Sequence, residues 1–163
     1  MIRLAMVTSG GLGLLRPAPG TWGSLPPLLV AGLVGACRPE ALLPVLVCMT
    51  VVASVCCIWL TPWAETHFGT EDPGQIVIDE TAGMALTIVL LTALPINAPT
   101  SGVNALIALG GAFAAFRLFD IWKPEPVNAL QRLGRGWGVL LDDLMAGVYA
   151  AATVAGVLLA MGA

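Results

Sequence analysis

Two pairs of adjacent carboxylates are the residues of this sequence best suited to chemistry. Asp79-Glu80 and Asp142-Asp143 each precede an apolar run, and Asp120 stands at the end of another apolar run. Adjacent carboxylates repel each other, and apolar surroundings also deprive them of solvation, so a divalent cation would stabilise each pair. A site made of oxygen ligands alone favours Mg²⁺ or Mn²⁺ over zinc. The predicted metal ligands are Asp79, Glu80, Asp142 and Asp143.

A simpler explanation for an acid at a helix start is that it complements the positive end of the helix dipole. That explanation suffices for one isolated acid but is weaker for two pairs and Asp120 together. Small residues also follow each pair by about one helical turn, with Gly83 after the first pair and Gly147 after the second. They leave room for close helix approach or for a substrate head group.

Two basic residues flank Asp120 and are candidates for binding an anion. Arg117 precedes this acid by one helical turn, and Lys123 follows it by three residues. For Lys123 alone, extension of a basic side chain from a helix end to the lipid–water interface is an equal alternative. With Arg117 and Asp120 beside it, we favour binding of a phosphate by both cations.

The segment before the first apolar run predicts a turn followed by a helix. Pro19-Gly20 favours the turn, Thr21 or Ser24 can cap the helix, and Pro26 suits its first turn. Free N–H groups at a helix start can hold a phosphate, although an ordinary capped turn explains the spacing equally simply. The candidate phosphate-binding residues here are Gly20, Thr21 and Ser24.

Five apolar runs must position these residues. A bilayer core about 30 Å thick requires about 20 apolar residues of helix, and most of the runs approach that length. In order, the runs are Leu25–Ala36, Ala41–Thr61, Gly83–Ala98, Val103–Phe119 and Leu144–Gly162. The first is short and is a re-entrant helix, a half-span, or a span completed by Thr21–Ser24; Pro95–Gly102 is a turn between the third and fourth. We predict one all-α domain over residues 1–163, a polytopic membrane bundle of four to five helices.

Composition supports the membrane assignment. Of the 163 residues, 58% are hydrophobic and 10% are charged, whereas soluble domains carry about 25% charged residues. The net charge of −3 and the lack of a basic patch with interleaved aromatic residues argue against a nucleic-acid partner. The four cysteines lie in or beside apolar runs without metal-binding spacing, which suggests that they are small buried side chains.

If all five runs cross the membrane, the polar segments Met1–Ser24, Pro62–Ala82 and Asp120–Asp143 share one face. Six of the seven basic residues then lie on that face, with Arg38 opposite, and basic loops remain cytoplasmic. The basic residues are Arg3, Arg16, Arg117, Lys123, Arg132 and Arg135. Nine of the ten acids lie there too, with Glu40 opposite. The acids assigned to the periphery of the site are Glu65, Glu71, Asp72 and Glu125; His67 is a surface or supporting residue first and an acid–base candidate second.

Four segments resemble the signature of bacterial phosphatidylglycerophosphatase A, and they occur in that family's order. They are Arg16–Ser24, Asp72–Gly83, Arg117–Pro124 and Gly136–Gly147. The resemblance implies an all-helical enzyme of the bacterial cytoplasmic (inner) membrane that hydrolyses phosphatidylglycerophosphate to phosphatidylglycerol and phosphate with Mg²⁺. The family's acidic positions correspond to Asp79, Glu80, Asp120, Asp142 and Asp143. Glu125 departs from the family pattern, which usually has a bulky apolar residue there.

We therefore expect a Mg²⁺-dependent lipid phosphatase whose partners are its lipid substrate and the membrane lipids, with the oligomeric state left open. The expected catalytic residues are Asp79, Glu80, Asp120, Lys123 and Asp143. Asp120 is either a metal ligand or a nucleophile that forms an aspartyl phosphate. The alternatives are a phosphatase for another lipid phosphate, an ion-coupled transporter and a structural subunit. A transporter predicts acids near the bilayer midplane, whereas these acids stand at the ends of the runs.

Overall fold

The computed structural model describes residues 1–94, 102–125, 127–130, 133–134 and 136–161. Within these ranges the regular structure is helical, with no strand, which confirms the all-α prediction. In chain order the helices are α1 (Ile2–Val7), α2 (Pro19–Gly23), α3 (Leu25–Cys37), α4 (Pro39–Phe68), α5 (Ile78–Ala93), α6 (Gly102–Trp122), α7 (Val127–Leu130) and α8 (Gly136–Ala160), with a 3₁₀ turn at Leu12–Leu14.

Three helical stretches in the described ranges are long and apolar enough to cross a bilayer. They are Pro19–Cys37, Pro39–Phe68 and Gly136–Ala160. The first joins α2 to α3 through Ser24, whose backbone is itself helical with φ −80° and ψ −12°. Of the interpretations open for the short first run, a span completed by Thr21–Ser24 therefore agrees best with the structure. These stretches confirm the prediction of a helical membrane bundle.

The second run continues further than its apolar sequence suggests. The sequence places its end at Thr61, but α4 runs through Pro62 to Phe68 and stops at Gly69, whose φ of 74° is left-handed. Proline removes one helical hydrogen bond. Packing compensates for that loss, because Ala64 is fully buried and Trp63 and Phe68 pack against the core cluster that it joins. Tertiary contacts therefore decide where this helix ends.

Helix α5 lies at the centre of the bundle, where it contacts both α4 and α8. Its backbone approaches that of α8 closely at two glycines. A Cβ on Gly147 would lie 2.5 Å from the carbonyl oxygen of Gly83, and a Cβ on Gly83 would lie 2.6 Å from that of Asp143. The hydroxyl of Thr87 donates to the carbonyls of Gly83 and Gly147 at 3.0 and 3.3 Å. The two glycines therefore allow close helix approach, the first of the two uses expected for them.

Replacing Gly147 with alanine is expected to lower the free energy of unfolding by about 1–3 kcal/mol, the usual cost of overpacking. The new Cβ would overlap the α5 backbone, which cannot move as a side chain can. Thermal denaturation in detergent measures the effect. Gly156→Ala in the same helix is the control, because a Cβ there meets nothing within 4 Å among the described residues. Equal melting temperatures for the two variants would contradict the close-contact interpretation.

Some predicted features fall outside the described residues. These are residues 95–101 of the predicted turn, the last residues of the third and fifth runs, and the basic residues Arg132 and Arg135. The fourth run corresponds to α6, which begins at Gly102 and ends at Trp122, three residues beyond Phe119.

Candidate functional site

The predicted acids meet in a small polar cavity, although they come from distant parts of the sequence. The cavity has a volume of about 140 Å³. Helix α5 contributes Asp79 and Glu80 from its first turn, and α8 contributes the second acid pair. The predicted site residues that line it are Asp79, Glu80, Asp120, Lys123, Asp142 and Asp143. The packing of α5, α6 and α8 therefore brings all five acids and one of the two cations together.

Three of these carboxylates could together hold a metal ion. One oxygen each from Asp79, Glu80 and Asp143 lies within 4.8 Å of the others. Two oxygens on opposite sides of a Mg²⁺ ion lie about 4.2 Å apart, and those around Ca²⁺ lie somewhat further apart. The carboxylates of Asp79 and Asp143 belong to residues that are 6% and 3% exposed, so water offers them little compensation for their charge. The donor set and its spacing fit a divalent cation.

The two acids at the start of α5 are buried deeply enough to disfavour their charged forms. Asp79 and Glu80 precede Gly83, where the predicted span begins. Burial, followed by the charge of Glu80, raises the pKa of Asp79 well above its ordinary value. Burial also raises the pKa of Glu80 to about 8. Glu80 Oε2 is buried and has no hydrogen-bond partner among the residues that the structure describes. A cation at this position would satisfy that oxygen and stabilise the ionised carboxylates.

Asp142 has a different partner from Asp143, although the two are adjacent in sequence. Its Oδ2 accepts a hydrogen bond from Lys123 Nζ at 2.5 Å, and its Oδ1 accepts one from the backbone N–H of Asp143 at 3.0 Å. Burial lowers the pKa of Lys123, but the hydrogen bond and charge of Asp142 outweigh it, so this pKa lies above its ordinary value. The lysine therefore stays charged. The predicted metal-binding role of Asp142 remains a prediction.

Arg117 and Asp120 form an ion pair one helical turn apart, as their spacing suggests. Arg117 Nη1 lies 2.5 Å from Asp120 Oδ2. The contact lacks hydrogen-bond alignment, and the buried Nε and Nη1 atoms of Arg117 have no hydrogen-bond partner within the described part of the chain. The Arg117 side chain as a whole is 16% exposed, and a guanidinium group with donors left over from its ion pair is suited to a bidentate anion such as a phosphate.

Gly20 brings the N-terminal turn into this site. A Cβ on Gly20 would overlap Glu80 Oε1 and would lie 3.0 Å from Arg117 Nη1. Helix α2 is fastened to the start of α5 by the hydroxyl of Thr81, which donates to the carbonyl of Gly23 at 2.7 Å. Glycine is therefore the residue that lets the α2 backbone reach the acids and the arginine.

The other two candidates in this turn occupy different environments. Thr21 is half-buried, whereas Ser24 is fully buried. The hydroxyl of Ser24 donates to the carbonyl of Gly20 at 2.8 Å, so in this structure it supports the turn. Phosphate binding by Gly20, Thr21 and Ser24 remains a prediction.

The structure changes two expectations about the acids. Because α8 begins at Gly136, Asp142 and Asp143 lie well inside it and not just ahead of the span. The helix dipole acts mainly within the first turn, so it does not account for this pair. In addition, Asp72 lines the cavity, although it was assigned to the periphery. The Asp72-Pro73-Gly74 turn motif, seven residues before Asp79, is the signal that could have placed it.

The remaining peripheral assignments agree with the structure. Glu71 and Glu125 are exposed, Glu65 is half-buried, and none of the three lines the cavity. His67 is exposed at the end of α4, where its ring stacks on that of Trp63 with the centroids 4.9 Å apart. This contact gives the histidine a packing role.

The family described as phosphatidylglycerophosphatase A matches residues 5–158. A phosphatidylglycerophosphatase A of Haemophilus influenzae is 34% identical over 148 residues, which cover 88% of this chain and 81% of that protein. A protein of the same name from Escherichia coli is 33% identical over 144 residues, covering 86% of this chain and 74% of that protein.

A third relative has a different name. A putative phosphatidylinositol-3-phosphatase of Bacteroides thetaiotaomicron is 36% identical over 143 residues, covering 87% of this chain and 84% of that protein. No solved structure matches the chain. The family match extends over nearly the whole sequence and includes all the residues that line the cavity. The resemblance seen in the sequence motifs is confirmed, and the chain belongs to the phosphatidylglycerophosphatase A family.

Proposed function

We propose that this chain, as one domain over residues 1–163, hydrolyses the phosphomonoester of phosphatidylglycerophosphate to phosphatidylglycerol and phosphate. The proposal rests on one observation, which is that a carboxylate cluster and an arginine lie side by side in the structure. One oxygen each from Asp79, Glu80 and Asp143 lies within 4.8 Å of the others, and Arg117, whose Nε and Nη1 atoms are buried, lies close to Glu80. That combination suits a phosphate held between a cation and a guanidinium group, and relatives named phosphatidylglycerophosphatase A support the substrate.

The carboxylates of Asp79, Glu80 and Asp143 would hold Mg²⁺. Bound there, the ion would supply positive charge to the phosphate oxygens and acidify a water molecule. The protein contributes a fixed, water-poor arrangement of oxygens, because Asp79 and Asp143 are both nearly inaccessible. Close contact between the α5 and α8 backbones at Gly83 and Gly147 keeps these acids at a fixed separation.

The two cations would bind and orient the phosphate. Arg117 would donate from its guanidinium group to two phosphate oxygens, and Asp120, which pairs with Nη1, would hold that group in place. Lys123 would contribute a mobile ammonium group, which Asp142 positions at the cavity wall. Both groups would stabilise the charge that develops on the equatorial oxygens during phosphoryl transfer.

We further propose that the protein resides in the bacterial cytoplasmic (inner) membrane with this cavity on the cytoplasmic side. Arg3 and Arg16 precede the first span, so they would share a side with the cavity, while Arg38 lies in the connection between α3 and α4 and would be opposite. A bias of basic residues towards one side favours cytoplasmic placement of that side. Exposed Trp22 and Trp122 lie at helix ends near the cavity and suit the membrane–water interface.

Phosphate release from a panel of lipid phosphates tests this function. The purified protein should release phosphate from phosphatidylglycerophosphate with Mg²⁺ and should lose that activity in excess EDTA. The panel should include phosphatidic acid and phosphatidylinositol 3-phosphate, because one relative is named as a putative phosphatase for the latter. Faster turnover of phosphatidylinositol 3-phosphate would reassign the substrate, and undiminished activity in EDTA would contradict the metal requirement.

A further inference from the structure

A second, apolar groove lies between α3 and α6, outside the carboxylate cavity. It has a volume of about 400 Å³ and almost entirely apolar walls, which include Leu29, Gly32 and Leu33 of α3 and Gly110 and Phe113 of α6. Its α3 edge is open, because Leu29 and Leu33 are 65% and 68% exposed. A volume of this size falls within the range of ordinary ligand sites.

The groove begins one helical turn from the arginine of the proposed active site. Phe113 and Gly110 precede Arg117 by four and seven residues, so the three lie on one face of α6. On the opposite wall, α3 continues from α2, where a Cβ on Gly20 would lie 3.0 Å from Arg117 Nη1. At 1.5 Å per residue, Leu109, which also lines the groove, lies about 12 Å from Arg117 along the helix axis. Arg117 therefore lies one helical turn beyond the end of the apolar groove on α6.

We propose that this groove binds an acyl chain of the lipid phosphate while the phosphate lies at Arg117. The inference rests on the proposed function and adds where the rest of the substrate is held. A lipid phosphate has an anionic head group joined to apolar chains. The protein offers a matching arrangement, because the cationic site is followed by the apolar groove. Seating one chain beside the catalytic groups would restrict how the phosphate approaches them, which is a recognised source of rate enhancement.

Two glycines keep the groove open and allow a test. A Cβ on Gly32 or Gly110 would meet nothing within 4 Å among the described residues, and both glycines line the groove, so a larger side chain at either position starts in open space there. Gly111 also has open space at its Cβ but does not line the groove. Gly32→Leu and Gly110→Leu would therefore fill the groove, and Gly111→Leu is the matched control. All three replacements raise helix propensity.

The experiment compares kcat/KM for two lipid phosphates, one with long acyl chains and one with six-carbon chains, in the same detergent. In Gly32→Leu and Gly110→Leu the long-to-short ratio should fall about tenfold, the size of discrimination that one methylene can produce in an apolar pocket. In Gly111→Leu the ratio should match that of the unmodified protein. An unchanged ratio in both groove variants would overturn the proposal, and so would an equal fall in the control.

Crosslinking provides a readout that does not depend on turnover. A phosphatidic acid with a diazirine near the middle of one chain should label peptides containing Leu29, Leu33 or Phe113, and Gly110→Leu should reduce that labelling several-fold. If the protein hydrolyses no lipid phosphate yet labels in this way, the proposed function fails and the groove assignment survives. If the variants instead change the size of the detergent-solubilised particle without changing the ratio or the labelling, the groove is a contact between copies and the proposal is wrong.

Discussion

Asp143→Asn is expected to reduce metal-dependent phosphate release by more than about a hundredfold, since even residues that only support metal ligands cost 10- to 100-fold when replaced. The change keeps the shape of the side chain and removes its charge from the three-carboxylate cluster. Without metal the variant should be at least as thermostable as the unmodified protein, because the charge that repels Asp79 and Glu80 is gone. The measurements are phosphate release and the melting temperature with and without Mg²⁺.

Phosphate release and the melting temperature together distinguish loss of the metal site from loss of the folded structure. In the unmodified protein Mg²⁺ should raise the melting temperature through preferential binding to the folded state, and in Asp143→Asn that increase should shrink. Glu71→Gln is the control, because it removes an exposed acid that precedes Asp79 by eight residues but does not line the cavity. Full activity together with a normal Mg²⁺ response in Asp143→Asn would show that this carboxylate is not a ligand.

Arg117→Lys is expected to lower kcat/KM about a hundredfold, in the range that loss of one preorganised donor produces. Lysine retains the positive charge, but it cannot present two fixed N–H groups to one phosphate. The buried Nε and Nη1 atoms, which lack hydrogen-bond partners within the described ranges, are the groups removed. Steady-state kinetics on phosphatidylglycerophosphate measure the loss, and added guanidinium should restore part of the activity of an Arg117→Ala protein.

The matched control is Arg38→Lys, the same change at an exposed arginine between α3 and α4. It should leave kcat/KM unchanged within about twofold, as surface substitutions away from a site usually do. If Arg117→Lys behaved in the same way, its interaction with phosphate would amount to charge alone, and the bidentate arrangement would be refuted. Failure of guanidinium to restore activity in Arg117→Ala, with the fold intact, would also count against it.

The helical membrane character and the chemistry of the site could be predicted from the sequence. Long apolar runs without charges have few alternatives to membrane helices, because each backbone polar group in lipid needs a partner within its own segment. Paired acids at the ends of such runs, and Arg117 one turn from Asp120, likewise restrict the chemistry before any coordinates are known. These properties are local, since they depend on residue type and on spacings of a few residues.

The tertiary structure alone decided which acids act together. Adjacent residues gave no sign that Asp143 would join Asp79 and Glu80 while Asp142 would pair with Lys123. That division depends on the rotation of α8 against α5, which is determined by backbone contact at Gly83 and Gly147.

Packing between segments that are distant in sequence also decided several other features. The continuation of α4 through Pro62, the placement of Asp72 at the cavity, and the contact of Gly20 with Glu80 all join segments that the sequence separates. Hydropathy and motif spacing describe one segment at a time, whereas these features depend on which surfaces of two segments touch. The sequence therefore determined which kinds of side chain are available to the site, and the packing of the helices decided which of them lie together in the cavity.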